Sequence, residues 1–278
     1  MSTVTNYMLG STQVRNIYYG SNLIWPLTHD YSQDYLTFIP LESCEFKFVG
    51  TGYTSGIYYS TDNGSIWNQL ANDTYTPTIN AGSKILFKSS SWGAGLYSGP
   101  GSFESTGRFN VEGNILSLGG GDNFTNYTMN MTSQYANLFM GAYVVDASNL
   151  YLPSPTQNGC FQQLFHSCQY LTTPAKLPYT NLSEWCYSRM FVNCVSLTSA
   201  PELPASNMTN ECYDGMFINC VSLTQITCLA TSFPSVQGTL RWVEGVAANG
   251  IFIKAPSMNS WTTGDNGIPS GWTVQDAS

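Results

Sequence analysis

Charge is scarce in this chain. Lys and Arg number nine and Asp and Glu 17 among 278 residues, 9% in all, against roughly 25% in an ordinary soluble domain. Solubility therefore falls to Ser, Thr, Asn and Gly. With a net charge of −8 and no basic cluster, nothing can replace the counterions of a phosphate backbone, so nucleic acid is not an expected partner. No run of 18 apolar residues occurs, and no membrane insertion is expected. Histidine occurs only at His29 and His166, in different regions. H-E-x-x-H and G-x-S-x-G are both missing, which removes the commonest zinc-protease and serine-hydrolase constellations. The start, MSTVTNYMLGSTQV, has neither the basic nor the apolar region of a secretion signal. The expectation is a chain made in a reducing cytoplasm.

Against these absences stands a period. Cys160, Cys186 and Cys212 lie 26 residues apart, as do Cys168, Cys194 and Cys220, Phe165, Phe191 and Phe217, and Leu171, Leu197 and Leu223. A weaker copy lies upstream, where Tyr135, Leu138, Phe139 and Ala142 match Phe161, Leu164, Phe165 and Cys168. Identical apolar residues at such a spacing mean one supersecondary unit, stacked so that equivalent side chains form a continuous core. Within a unit, Tyr187, Met190 and Phe191 stand at i, i+3 and i+4, a spacing that predicts a short helical turn. The stretch Leu197 to Pro204 carries two prolines and cannot be a central antiparallel strand. A brief strand stacked in parallel fits it.

The form C-[YF]-x-x-[ML]-F-x-[NS]-C-x-x-L-T-x-x-P-x-L-P resembles the BspA-type leucine-rich repeats, over about residues 132 to 278. The resemblance implies a solenoid, with GIFIKAPSMNSWTTGDNGIPSGWTV as its C-terminal cap. Thr227 and Cys228 replace the Pro-x pair in the third turn and suggest that the array is passing into that cap. The six cysteines at equivalent positions read as a ladder of small buried apolar residues, with disulfides between stacked turns as the alternative. Zinc is disfavoured because C-x7-C lacks the close C-x2-C knuckle. No metal or cofactor is expected. His166 takes the repeat position of Val192 and Ile218 and reads as a substituted repeat residue.

The N-terminal part reads differently. VRNIYY and NLIWP, around Gly20-Ser21, predict a β-hairpin. It is similar to short leader hairpins on structural proteins of phages that infect gut bacteria. That resemblance implies that Ile17, Tyr18, Leu23 and Trp25 anchor the chain in a virion. LTHDYSQDY reads as a polar linker. CEFKFVG, GIYYS, SKILFKS and GRFNVEG predict the strands of a small β-sandwich. Within it, Ser60 to Trp67 resembles the Asp-box, a structural turn staple of sialidases and other β-rich proteins. Gly93, Gly95, Gly99 and Gly101 read as a flexible loop, and Gly119, Gly120, Gly121 and Asp122 as the joint before the repeats. The expected fold is mainly β with short helical turns. It comprises an attachment hairpin and linker over 1–35, a β-sandwich spacer over 36–115 and a leucine-rich-repeat solenoid with its cap over 116–278.

Solenoids display surfaces, and the expected function is recognition rather than chemistry. Specificity must lie where the turns differ: Gln162, Ser188 and Asp214; Gln163, Arg189 and Gly215; Lys176 and Glu202. Tyr179 and Trp185 in the connecting segments add aromatic faces. The candidate receptor-binding set is Tyr179, Trp185, Arg189, Lys176 and Glu202, with a glycan as one suitable ligand. The carboxylates Glu184, Glu202, Glu211 and Asp214 could pair across coils as a glycosidase pair, but read as solubilising groups. Together the resemblances imply a non-enzymatic phage virion protein: a tail or head fibre, or a baseplate-associated appendage. Its expected partners are other virion proteins through the N-terminal region, a bacterial surface glycan or protein, and further copies of the chain. A bacterial surface adhesin and an envelope-glycan hydrolase are the alternatives.

Overall fold

The computed structural model describes residues 29–50, 56–90, 101–232 and 238–278, and the backbone of four short strands before them. Strand outweighs helix, 25% to 6%, and the sheets are open. The first strands, β1 (Met8–Leu9), β2 (Thr12–Gln13), β3 (Asn16–Tyr19) and β4 (Asn22–Pro26), make two antiparallel ribbons. The expected hairpin is present as β3 and β4, with Ile17 opposite Trp25 and Tyr18 opposite Leu23. Its Gly20-Ser21 turn lies outside the described residues, as do Gly93, Gly95 and Gly99.

Seven strands follow: β5 (Leu36–Pro40), β6 (Phe46–Val49), β7 (Ile57–Ser60), β8 (Asn68–Leu70), β9 (Ile85–Ser89), β10 (Ser102–Ser105) and β11 (Phe109–Asn114). The four strands expected from the sequence correspond to β6, β7, β9 and β11. With β12 (Asn149–Tyr151), they build a six-stranded sheet in the order β12-β11-β5-β9-β7-β8, while β6 and β10 pair as a separate ribbon. In β6 the alternation is plain: Phe46 and Phe48 are buried and Lys47 and Val49 are half-buried. Phe38 on β5 collects the core, its ring centroid 4.6 Å from Phe87, 4.7 Å from Phe109 and 4.9 Å from Phe103. Each such ring, fully buried, contributes about 1.5–3 kcal/mol.

Ser60 and Asp62 staple the β7–β8 turn as the Asp-box resemblance implied. The Ser60 hydroxyl donates to Asp62 Oδ1 at 2.7 Å, and the Ile66 N–H donates to the same oxygen at 2.9 Å. Trp67 meets Tyr35 edge-on at 5.0 Å, and Lys88 Nζ lies 4.2 Å from the centre of its indole. Lys88 also reaches Asp122 Oδ1 at 2.6 Å, tying the hairpin to the glycine-rich turn.

That glycine-rich turn is not a joint. Gly119 and Gly120 are buried in α1 (Ser117–Gly120), the one α-helical turn among the described residues. A Cβ on Gly119 would stand 2.4 Å from the Tyr127 ring, so only glycine fits there. The boundary expected after residue 115 instead lies within a continuous core. β12, inside the repeat region, pairs in parallel with β11, and Phe103 stacks on Phe139 at 6.3 Å. The expected linker is also packed, with Asn114 Nδ2 donating to the Ser32 carbonyl at 2.8 Å.

From residue 132 onward the units stack. Phe139, Phe165, Phe191 and Phe217 form one column with centroids 5.4, 5.7 and 5.8 Å apart. Tyr135, Phe161, Tyr187 and Tyr213 form a second, at 6.2, 6.0 and 6.2 Å. Near-parallel rings at these separations are worth about 0.5–1.5 kcal/mol each beyond their burial. The expected helical turn is absent, although Tyr187, Met190 and Phe191 do face inward. Alternate N–H groups leave the unit altogether: Phe139, Phe165, Phe191 and Phe217 donate to the carbonyls of Leu164, Met190, Met216 and Trp242 at 2.8–3.0 Å. The intervening N–H groups close turns, as Met190 does on Tyr187. Left-handed residues recur every fourth position, at Trp185 (φ 55°), Arg189 (φ 55°) and Asn193 (φ 59°), and break any helix.

The proline-bearing side of each unit is likewise not a full strand. Asp146 bridges Thr173, Ser199 bridges Gln225, and Leu203 bridges Cys228, all in parallel and all isolated. Proline removes the donors that would join these bridges. Where prolines are missing, continuous pairing appears: β13 (Gln225–Cys228), β14 (Ile251–Lys254) and β15 (Thr273–Asp276) form a parallel three-stranded sheet. A further unit stands between the third turn and the expected cap. Gly215, Phe217 and Asn219 donate to Leu240, Trp242 and Glu244, each at 2.8 Å. Sequence reading misses it because Trp242 stands at the position of Met216 and Val243 at that of Phe217. Trp242, with Trp261 stacked on it at 5.5 Å, then closes the aromatic columns.

Candidate functional site

The candidate recognition residues divide between two sides of the stack. Trp185 and Arg189 belong to the turn side; both are exposed and both hold a left-handed backbone. Arg189 Nε donates to Asp214 Oδ2 at 3.3 Å. Ser188 and Asp214 are buried, not surface variation: the Ser188 hydroxyl donates to Asp214 Oδ2 at 3.4 Å. Gly215 is buried as well, and Gln162 and Gln163 are half-buried. His166 is half-buried; burial first, and then the Arg189 charge, lowers its pKa.

Lys176 and Glu202 lie on the bridge side, exposed, where they line one hollow of about 480 Å³ with Pro174, Pro178, Pro201 and Pro204. Tyr179 is half-buried rather than an open platform. Its hydroxyl donates to the Tyr151 hydroxyl at 3.3 Å, and burial together with that bond raises its pKa. Tyr151 belongs to β12, so this contact ties the bridge side to the six-stranded sheet. For the anchoring residues Ile17, Tyr18, Leu23 and Trp25 the strand register is described, while their side chains lie outside the described residues.

The hollow at Lys176 continues. A second one, of about 480 Å³, shares Ser148, Lys176 and Pro178 with it and adds Tyr151 and the residues His29 to Ser32. A third, of about 450 Å³, shares His29 and Tyr31 with the second and reaches Tyr35, Asn63, Lys84 and Glu112. The three hollows share lining residues in turn and so lie side by side, a track of adjoining hollows from the repeat units to the N-terminal sheet. His29 is hydrogen-bonded to Asp34, and its ring meets Tyr31 edge-on at 4.7 Å. Lys84 Nζ donates to Glu112 Oε1 at 2.6 Å. Lys84 is thus paired with Glu112, while Asp30 accepts from the Ser32 N–H and hydroxyl and Lys176 stands exposed, with hydroxyl, amide and aromatic groups between them.

Sequence reading assigned His29 and Tyr31 to a linker and so missed their part in the track. It missed a second surface too. Tyr143 and Tyr170, 42% and 43% exposed, meet edge-on at 5.3 Å, and Val195 and Val221 are exposed as well. Tyr143, Gln169, Val195 and Val221 share one repeat position, so three of its four members are large and apolar, a signal readable from the period. Among the described residues, no group of three or more His, Cys, Asp or Glu is placed to hold a metal ion, and no helix is long and apolar enough to cross a membrane. No family model, curated protein or solved structure matches the chain.

Proposed function

We propose that the chain is a non-enzymatic phage virion protein, a tail or head fibre or a baseplate-associated appendage. On this reading its repeat units form a leucine-rich-repeat solenoid of BspA type, joined to a small β-sandwich, and the bridge side of that solenoid meets the bacterial surface. The observation that carries the reading is the backbone ladder between units, from Tyr135 N–H to the Cys160 carbonyl and onward to Asn219 and Glu244. Units bonded in this way build a rigid, elongated surface without needing a separate domain to support it. The β3–β4 hairpin, with its resemblance to phage leader hairpins, supplies the anchor to other virion proteins, and further copies of the chain assemble beside it.

Mass spectrometry of purified virions tests this. The chain should appear at fixed stoichiometry with the other particle proteins, and gold-labelled antibody should decorate the particle exterior. Recovery solely from a bacterial envelope fraction would replace the virion reading with the adhesin.

A further inference from the structure

We propose that the track from Glu202 to Lys84 binds a linear, uncharged polysaccharide, several sugar rings at a time. The proposal rests on the surface-recognition reading above and names the ligand class and the residues that hold it. Three observations converge. The first is shape: consecutive hollows of about 450–480 Å³ share Lys176 and Pro178 at one junction and His29 and Tyr31 at the next. Each hollow has the volume of a small-ligand site, and their shared walls suit a polymer rather than a single compact molecule.

The second is chemistry. Tyr31, Tyr35 and Tyr151 bring aromatic rings to the track, and the prolines bring apolar faces on which a sugar ring can lie. Asn63, Ser148 and Thr172 add amide and hydroxyl groups of the kind that fix sugar hydroxyls. His29 with Asp34 and Lys84 with Glu112 are paired, and Lys176 and Glu202 line the same hollow, so the track has no uncompensated cationic cluster. A chain of net charge −8 with such a track disfavours a polyanion.

The third concerns the backbone. An extended peptide would bind by adding a strand to an open edge. On the bridge side the N–H groups of Ala147, Ala200 and Leu203 already donate to Thr173, Gln225 and Thr227 at 2.8–3.0 Å. Pro174, Pro178, Pro201 and Pro204 have no N–H to offer. The ligand must therefore be gripped through side chains, which disfavours a peptide added as a strand.

The test uses the purified full chain and isothermal titration calorimetry. The probes are neutral linear hexasaccharides of gluco, galacto and manno type, their disaccharides, a hyaluronan hexasaccharide and a proline-rich peptide. At least one neutral hexasaccharide should bind at least tenfold more tightly than its disaccharide. Lys176→Ala and Glu202→Ala, both at exposed positions, should each weaken that binding about tenfold while leaving the melting temperature unchanged. Tyr143→Ala with Tyr170→Ala should leave it intact. Absence of binding by every neutral hexasaccharide at millimolar concentration, equal affinity for hexa- and disaccharide, or preference for hyaluronan or the peptide would overturn the proposal. So would a loss of binding confined to the Tyr143 and Tyr170 variant. Presence of the chain in virions is measured separately, so failure here would leave that reading standing.

Discussion

The thiol of Cys194 donates to the carbonyl oxygen of Phe165, one unit earlier in the stack, at 3.1 Å. The same bond links Cys168 to Phe139 at 3.0 Å and Cys220 to Phe191 at 2.9 Å. Each of these carbonyls also accepts a backbone N–H, so the thiol fills a second lone pair within a dry core. The cysteine ladder is thus small, buried and polar at one atom. Cys194→Ser keeps a donor and should cost about 1 kcal/mol, whereas the larger, donor-free Cys194→Val should cost about 2 kcal/mol or more. Urea unfolding measures both; an equal or smaller cost for valine would remove the thiol–carbonyl bond from the explanation of this position.

All eight cysteines are free and buried. Titration of the denatured, unreduced protein should find nearly all of them, while the native protein should react slowly. Finding two or fewer would restore the disulfide alternative.

Burial pushes the Cys212 thiol up to about 11 and those of Cys160, Cys220 and Cys228 to about 12, from an ordinary value of 9.0. The folded state holds these protons more tightly than the unfolded chain, so stability should be full below about pH 9 and fall as pH rises towards 12. Each titrating thiol steepens that fall by about 1.4 kcal/mol per pH unit. Urea midpoints that stayed constant from pH 8 to 11 would contradict the burial of these groups.

Gln163 holds φ 56°, and its counterpart two units on, Gly215, holds φ 58°. A left-handed backbone costs a side-chain-bearing residue about 1–2 kcal/mol. Gln163→Gly should therefore stabilise the protein by about 0.5–1 kcal/mol, after the added freedom of the unfolded chain is subtracted. A lower melting temperature for this variant would mean that the glutamine side chain contributes more than the strain it imposes.

The Ile66 N–H and the Ser60 hydroxyl, in that order, hold the Asp62 carboxyl below its ordinary 3.8. Its stabilising effect is present above about that pH and lost as pH falls through the lowered value. Asp62→Asn should lower the melting temperature at pH 7, and the difference should shrink as pH falls below 3.8. A constant difference across that range would assign the effect to shape instead of charge.

Deleting residues 1–26 should leave the stacked units folded, because their columns are made by neighbours alone, and should abolish incorporation into particles. Truncated chain at normal occupancy in virions would move the attachment site elsewhere.

The period alone determined that the repeated Cys, Phe and Leu face inward, though not that the variable Ser188 and Asp214 do. Repetition of Cys, Phe and Leu at one spacing requires equivalent positions to stack, because only a shared environment asks for the same side chain in every unit. Short alternating runs likewise marked β6, β7, β9 and β11, since alternation sets the face of each side chain locally. Tertiary structure decided where the backbone bonds go. The i, i+3, i+4 spacing at Tyr187, Met190 and Phe191 is shared by a helix and by a left-handed turn ladder. What separates them is whether Phe191 N–H bonds within its unit or to Met216 in the next. Fusion of the β region with the repeats, through β11 with β12 and Phe103 with Phe139, rests on partners far apart in the chain. The track is the same case. Lys176 and Glu202 were legible as positions where the repeats differ, but His29 joins them only because folding brings a segment of supposed linker against Tyr151 and Lys176. A sequence pattern fixes the direction of a side chain; the fold alone fixes its neighbour.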